Sequence, residues 1–258
     1  MRHYAVPVGI PEGRTAQAYR FALGPSPARE RAFRSHAGAA RKAYNAMLAL
    51  AKATMGRRRA ERSCGIAGAG LTPALNWSLA GLRKEWNRRK DDVAPWRAEN
   101  SRGACNTGLD ALARGLDARD KSRKGQRAGT AAGFPRFESA RSRRSVRFTA
   151  GTIRVEAGRR HVTLPRLGRI RTHESTRKLA RRTEASTARV LSAPLAEDPA
   201  GRWHVAFQVI VRRAAAAPAH AGAGAPAVGA DAGVKAGSLL VIAAPDGREI
   251  GRSRPRSP

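Results

Sequence analysis

The stretch QAYRFALGP alternates Tyr19, Phe21 and Leu23 on one side with Arg20 and Ala22 on the other. A period of two ending at Gly24-Pro25 predicts a short β-strand. From Pro27 the period changes. Phe33, Ala37, Ala40, Tyr44, Met47, Leu48, Ala51 and Met55 recur at helical spacing, with Arg and Lys on the other face. Gly56 follows as the expected stop signal. A second helix is expected to open with Thr72 as N-cap and Pro73 at its first position, to carry Leu75, Leu79, Leu82 and Trp86 inward, and to break at Pro95. Cys105, Leu109, Leu112 and Leu116 repeat the same offsets in a third helix. These stripes read as a small helical core rather than a cofactor site.

Residues 119–133, RDKSRKGQRAGTAAG, are polar, basic and glycine-rich, and predict a loop. Beyond them the period returns to two. SVRFT, TIRVEA, HVTLP and GRIRTH predict short strands. RWHVAFQVIV is the longest, with Trp203, Val205, Phe207, Val209 and Val211 on one face and Arg202, His204 and Gln208 on the other. EDPAG reads as a hairpin turn from a partner strand over Arg189 to Leu195. The expected class is α+β: a small antiparallel β-barrel or sheet that takes in the strand near residue 20, with a helical bundle inserted. The Ala/Gly/Pro-rich run at 213–227 predicts a linker. After it, VGADAGVK, SLLVIAA and PDGREI predict strand, tight turn and strand, a β-hairpin opening a second domain.

Charge changes the picture most. The 258 residues carry 50 Lys and Arg against 19 Asp and Glu, a formal net charge of +31. Such a chain repels itself without a polyanion, and nucleic acid is the expected partner through phosphate neutralisation and counterion release. No apolar run approaches the roughly 20 residues of a membrane span. The N-terminus shows no signal-peptide h-region, so a cytoplasmic protein is expected. Cys64 and Cys105 form no C-x-x-C and have no His at metal spacing, so no zinc site is expected.

Two stretches could carry chemistry. GFPRFESARSRRSVRFT interleaves Arg136, Arg141, Arg143, Arg144 and Arg147 with Phe134, Phe137 and Phe148. Cations can track a phosphate backbone while planar rings stack; the plain alternative is a solvated basic loop. Further basic clusters at Arg57-Arg58-Arg59, Arg88-Arg89-Lys90, Arg159-Arg160 and Arg177-Lys178 favour a long wrapped polyanion, structured RNA above a single duplex site. In VGADAGVK, Asp231 has two readings. It is either ordinary turn chemistry beside Gly233, or a carboxylate at a strand end able to hold Mg²⁺.

In their order these motifs resemble the TnpB/OrfB family of transposon-encoded accessory transposases, RNA-guided DNA endonucleases related to the type V CRISPR effectors. AYRFALGPSPARERAFRSHAGAARKAYNAML is similar to the family's opening strand and first helix, with Arg41 and Tyr44-Asn45 at the usual places. LNWSLAGLRKEW and APWRAENSRGACNTGLDALARGL resemble its helical recognition region. GFPRFESARSRRSVRFT resembles its G-x-P-x-F-K segment, with Glu138 where Lys is commoner. VTLPRLGRIRTHESTRKL and GRWHVAFQV resemble the return of its wedge barrel. VGADAGVK with DGREI resembles the first motif of its RuvC-like nuclease domain.

The resemblance implies a wedge-like barrel with an inserted helical bundle, followed by the first hairpin of an RNase-H/RuvC-like domain. The implied division is 1–26 first barrel strand, 27–125 helical recognition region, 126–212 return of the barrel, 213–227 linker and 228–258 incomplete nuclease domain. Asp231 becomes the first metal-binding, catalytic carboxylate for Mg²⁺. Arg41, Arg136, Arg141, Arg143, Arg144, Arg147 and Lys235 become nucleic-acid contacts. The implied partners are a guide RNA from the transposon end and target double-stranded DNA, with no membrane. The family's later Glu motif, paired C-x-x-C and final Asp do not occur in the sequence. One carboxylate cannot orient two metal ions, so the expectation is a C-terminally truncated member that binds but does not cut alone. Half of a split or frameshifted nuclease, a non-catalytic regulator of transposition, and an unrelated basic RNA-packing protein are the competing readings.

Overall fold

The computed structural model describes residues 13–149, 152–212, 229–235, 238–243 and 249–253. The chain divides into two compact units, Met1–Arg213 and Ala214–Pro258. The expected linker at 213–227 lies outside the described residues.

In the first unit, β1 (Arg14–Gly24) leads into the long helix α1 (Pro27–Ser63). Ser26 caps α1 with its hydroxyl, and Pro27 occupies the first turn, where its missing N–H costs nothing. Phe33, Ala37, Ala40, Tyr44, Met47, Leu48 and Ala51 are buried as their spacing predicts, and Met55 is exposed. Gly56 does not end the helix. The helix runs on to Ser63 and is ended by Gly65, which takes φ 81°. There Gly65 N–H donates to the Arg62 carbonyl and Ile66 N–H to the Glu61 carbonyl, the paired bonds of a Schellman motif.

Helix α2 spans Leu79–Val93, not from Thr72. Thr72 gives both its N–H and its hydroxyl to the Glu61 carboxylate, which ties it to the last turns of α1, seven residues ahead of the first residue of α2. The cap is Ser78, whose hydroxyl accepts from Gly81 N–H at 3.1 Å. Leu82 and Trp86 are buried. Ala94 ends the helix and Pro95 opens a 3₁₀ turn, Pro95–Glu99. Helix α3 (Arg102–Arg123) buries Cys105, Leu109, Leu112 and Leu116. Its last turns take the first residues of the expected loop, and Gly125 at φ 68° ends it.

The strands follow the period-two pattern: β2 (Ser145–Phe148), β3 (Arg154–Val155), β4 (His161–Leu164), β5 (Gly168–Thr172), β6 (Ala188–Glu197) and β7 (Trp203–Arg212). Between β5 and β6 lies α4 (Arg177–Glu184), which the sequence pattern does not announce. It is short, buries only Leu179 and Ala180, and ends on Ser186 at φ 54° rather than on a glycine.

The expected barrel is an open antiparallel sheet in the order β2-β6-β7-β1-β5-β4-β3. β1 joins its halves: Arg14 to Ala22 pair with β7, and Leu23 and Gly24 with β5. Closure would need β2 to meet β3. Instead α3 covers the free edge of β2. The Thr107 hydroxyl accepts from Arg147 N–H at 2.8 Å and lies 3.3 Å from the Arg147 carbonyl. A side chain thus occupies backbone groups that a neighbouring strand would use. The two-residue β3 offers little ladder in return. One continuous core joins sheet and helices, with Phe33 of α1 edge-on to Trp203 of β7 at 5.2 Å.

The second unit contains β8 (Gly229–Lys235), β9 (Ser238–Ala243) and β10 (Glu249–Ser253), an antiparallel sheet in the order β10-β9-β8. The pairing follows the expected strand-turn-strand order. Asp231 lies opposite Val241, and Val241 opposite Arg252.

Candidate nucleic-acid interface

Helix α2, the turn Pro95–Glu99, the first turn of α3 and the β4–β5 turn enclose a cavity of about 690 Å³. Arg83 and Lys90, two turns apart on α2, reach it from one side. Arg97, Arg102 and Arg166 reach it from the turn, from α3 and from the β4–β5 turn. No carboxylate is among the described residues that line it. Arg97 is paired with Asp91, while Arg83, Lys90, Arg102 and Arg166 form no ion pair among the described residues. Like charges converging without counter-ions cost free energy unless an anion joins them.

The floor is polar and unsatisfied. Asn100 and Ser101 line the cavity at 5% and 8% exposure, and neither the Asn100 amide nor the Ser101 hydroxyl has a partner among the described residues. Ser101 is the N-cap residue of α3, yet its side chain makes no capping bond. The N–H groups of the first turn therefore lack the partner a capping hydroxyl would give, and the positive end of the helix dipole faces the cavity. Burying an amide with nothing to bond is costly. Together these features suit a ligand bearing negative charge and hydrogen-bonding groups.

Behind the floor, His36 of α1 donates through Nδ1 to the Ala32 carbonyl at 2.9 Å and accepts at Nε2 from Ser101 N–H at 3.1 Å. Burial is the main cause holding its pKa below the ordinary 6.5; the Arg166 charge adds to this, and the Ala32 bond opposes it. Burial raises the Cys105 thiol, leaving it a protonated wall group of the cavity.

The second candidate region is the basic segment at 133–149. Helix α1 holds it in register. The Asn45 amide donates to the Glu138 carbonyl and accepts from Glu138 N–H, both at 2.9 Å, and Arg41 donates to the Ser139 carbonyl at 3.4 Å. The Glu138 carboxyl is raised by burial, against the pull of Arg41. Tyr44 is raised by burial and by the Glu138 charge.

The predicted arginines separate into two groups. Arg136, Arg141 and Arg143 are exposed and form no ion pair among the described residues. Arg144 pairs with Glu197, whose side chain is 10% exposed. Arg147 is half-buried against Asp110, with its backbone held by Thr107. The rings separate as well. Phe148 is in the core. Phe134 packs edge-on to Trp77 at 6.2 Å, with the Arg119 guanidinium 4.8 Å from its centroid. Phe137 is 52% exposed with Lys52 Nζ 4.4 Å from its ring centre, and is the ring of this segment open to stacking. Lys235 ends β8 opposite Ser238.

The cavity cations other than Lys90 were not singled out by the sequence. Their signal is tertiary, since Arg83, Arg97, Arg102 and Arg166 come from four separate elements. No group of three or more His, Cys, Asp or Glu among the described residues could hold a metal ion. No described helix is long and apolar enough to cross a membrane.

A family model described as a helix-turn-helix domain, of the OrfB IS605 type, matches residues 15–59. In this structure those residues are β1 and most of α1. Two proteins of Mycobacterium tuberculosis, from strains CDC 1551/Oshkosh and H37Rv, are named as candidate RNA-guided DNA endonucleases. Each is 36% identical to the chain over an alignment of 215 positions that covers 79% of this chain and 44% of the relative. The chain thus spans less than half the length of these relatives.

Proposed function

The chain belongs to the TnpB/OrfB family of transposon-encoded proteins, and from that premise we propose that its first unit binds nucleic acid in the α2–α3 cavity and along Arg136 to Arg143. The observation that carries the reading is the cavity itself. Arg83, Lys90, Arg102 and Arg166 converge with no carboxylate among the lining residues and no ion pair among the described residues to neutralise them. A phosphate backbone supplies the missing charge and releases its condensed counterions on binding. The exposed Arg136, Arg141 and Arg143 extend the cationic surface, and Phe137 adds a stacking ring. The partners we assign are a guide RNA derived from the transposon end and target double-stranded DNA. The names of the two mycobacterial relatives support an RNA and a DNA partner.

Asp231 is proposed as the first carboxylate of a nuclease motif, with Lys235 a nucleic-acid contact beside it. Cleavage by two Mg²⁺ ions needs several carboxylates around ions roughly 3.5–4 Å apart. After Arg213 the sequence offers Asp231, Asp246 and Glu249. Glu249 lies opposite Ala243, not opposite the Val241 that faces Asp231. This donor set does not by itself fit a two-metal centre. Binding, not strand cleavage, is the activity we assign to these 258 residues.

The test is fluorescence anisotropy with a structured RNA and a DNA duplex across a salt series. Affinity that falls steeply with salt is expected. Salt-insensitive or absent binding contradicts the reading.

A further inference from the structure

The cavity floor asks for more than a phosphate. The Asn100 side chain is 5% exposed, and both its amide nitrogen and its carbonyl oxygen lack partners among the described residues. A phosphate only accepts hydrogen bonds. It could satisfy the Asn100 N–H groups and the first-turn amides of α3, and would leave the Asn100 oxygen orphaned. A nucleobase edge presents a donor beside an acceptor, which is the complement of a carboxamide. The volume agrees. About 690 Å³ lies within the ~300–1,000 Å³ range of small-ligand sites, far more than a phosphate fills. Cations at the rim and an amide at the floor set charge outside and base recognition inside. Arg102 and Arg166 are exposed, whereas Asn100 and Trp86 are buried. A base stacked and paired within a duplex cannot present its edge to so recessed an amide. A nucleotide turned out of the stack can.

We propose that this cavity takes one unpaired nucleotide of a bound strand, its base edge on the Asn100 amide and its phosphate against Arg102 and Arg166. The inference rests on the nucleic-acid-binding reading above and adds the unit that is recognised. The Ser101 hydroxyl, also without a partner among the described residues, is a second polar group on the floor for the sugar or the base.

The test titrates the full chain at low salt with adenosine 5′-monophosphate, ribose 5-phosphate and inorganic phosphate, by calorimetry. Adenosine monophosphate should bind at least about tenfold more tightly than ribose 5-phosphate, the scale of one good bidentate base contact. Asn100→Ala should bring the two together. Arg166→Ala, at an exposed position, should weaken both alike. An unpaired oligoadenylate of ten residues should displace the mononucleotide, which assigns the site to a strand rather than to a free nucleotide. The contrast between the nucleotide and the abasic sugar phosphate is read on the unaltered protein, so it holds even if Asn100→Ala does not fold. Equal binding of the two, no binding of either, or failure of the oligoadenylate to compete overturns the proposal. If RNA and duplex still bind with a steep salt dependence, the nucleotide pocket alone falls. If they do not bind, the underlying reading falls with it.

Discussion

His36 Nε2 accepts the backbone N–H of Ser101 at 3.1 Å across 65 residues of sequence. The bond ties α1 to the N-terminus of α3, the floor of the cationic cavity. It exists only while the imidazole is neutral, because Nδ1 already donates to Ala32. Phe148 of β2 packs 6.0 Å from the ring, and Arg166 is the charged group that acts on it from the β4–β5 turn. The folded pKa lies below 6.5, so between the two values the unfolded chain binds more protons than the folded one, and stability rises with pH. Thermal unfolding between about pH 5 and 8 should show this contribution intact above the ordinary histidine value and lost as pH falls from there through the lower folded value. His36→Gln should remove that part of the pH dependence. An unchanged profile in the variant would show that the bond does not govern it.

Two glycines of the helical region should respond in opposite directions. At Gly108 of α3 an added Cβ would sit 1.9 Å from the Ala40 carbonyl oxygen of α1. The two helices pack with their backbones touching there, and Gly108→Ala must push them apart, at about 1–3 kcal/mol or more. Gly56 lies inside α1 with nothing within 4 Å of such a carbon. Gly56→Ala should stabilise by about 0.5–1 kcal/mol, since glycine costs a helix interior that much. Denaturant titration of both variants measures the contrast.

The arginines of the basic segment should divide between stability and affinity. Arg144→Ala removes the partner of Glu197 and should cost about 0.5–1 kcal/mol of stability. The double variant Arg141→Ala/Arg143→Ala should leave the melting temperature unchanged. It should weaken RNA binding and flatten the salt dependence by about 0.7–0.9 for each phosphate that is no longer neutralised. Loss of stability in the double variant, with affinity intact, would reverse the two assignments.

For Asp231 the expected outcome is negative. Purified chain incubated with Mg²⁺ and duplex DNA should leave the strands intact, because the carboxylates of the second unit are too few for a metal pair. Cleavage that disappears in Asp231→Ala would show that they suffice.

The strands and the buried stripes of α1 and α3 were legible because apolar spacing is a local signal. Trp203 to Val211 and Cys105 to Leu116 are buried at the positions their periods give. Stops and caps were less legible, because they depend on competition. Gly56 looks like a terminator, but Gly65 has the positive φ that ends the helix. Thr72 looks like a cap, but Glu61 claims it. The open edge of β2 is taken up by Thr107 of α3, a bond made across 40 residues that no local pattern announces. The cavity was the least legible part. Arg83, Asn100, Arg102 and Arg166 share no motif, and only the packing of α2, α3 and the β4–β5 turn brings them together. Of the arginines the sequence singled out, it could not separate the exposed Arg143 from the adjacent Arg144, because the difference is the position of Glu197.

In the proposed function the cavity is where a polyanion is held. The most direct measurement is the slope of binding affinity against salt for structured RNA and duplex DNA, in the unaltered chain and in Arg83→Glu/Arg102→Glu/Arg166→Glu. These side chains are exposed, so the fold should survive, as thermal unfolding would verify. The expected result is a loss of affinity of about a hundredfold or more and a slope shallower by about two to three. A folded variant that binds with the same affinity and the same slope would contradict the account.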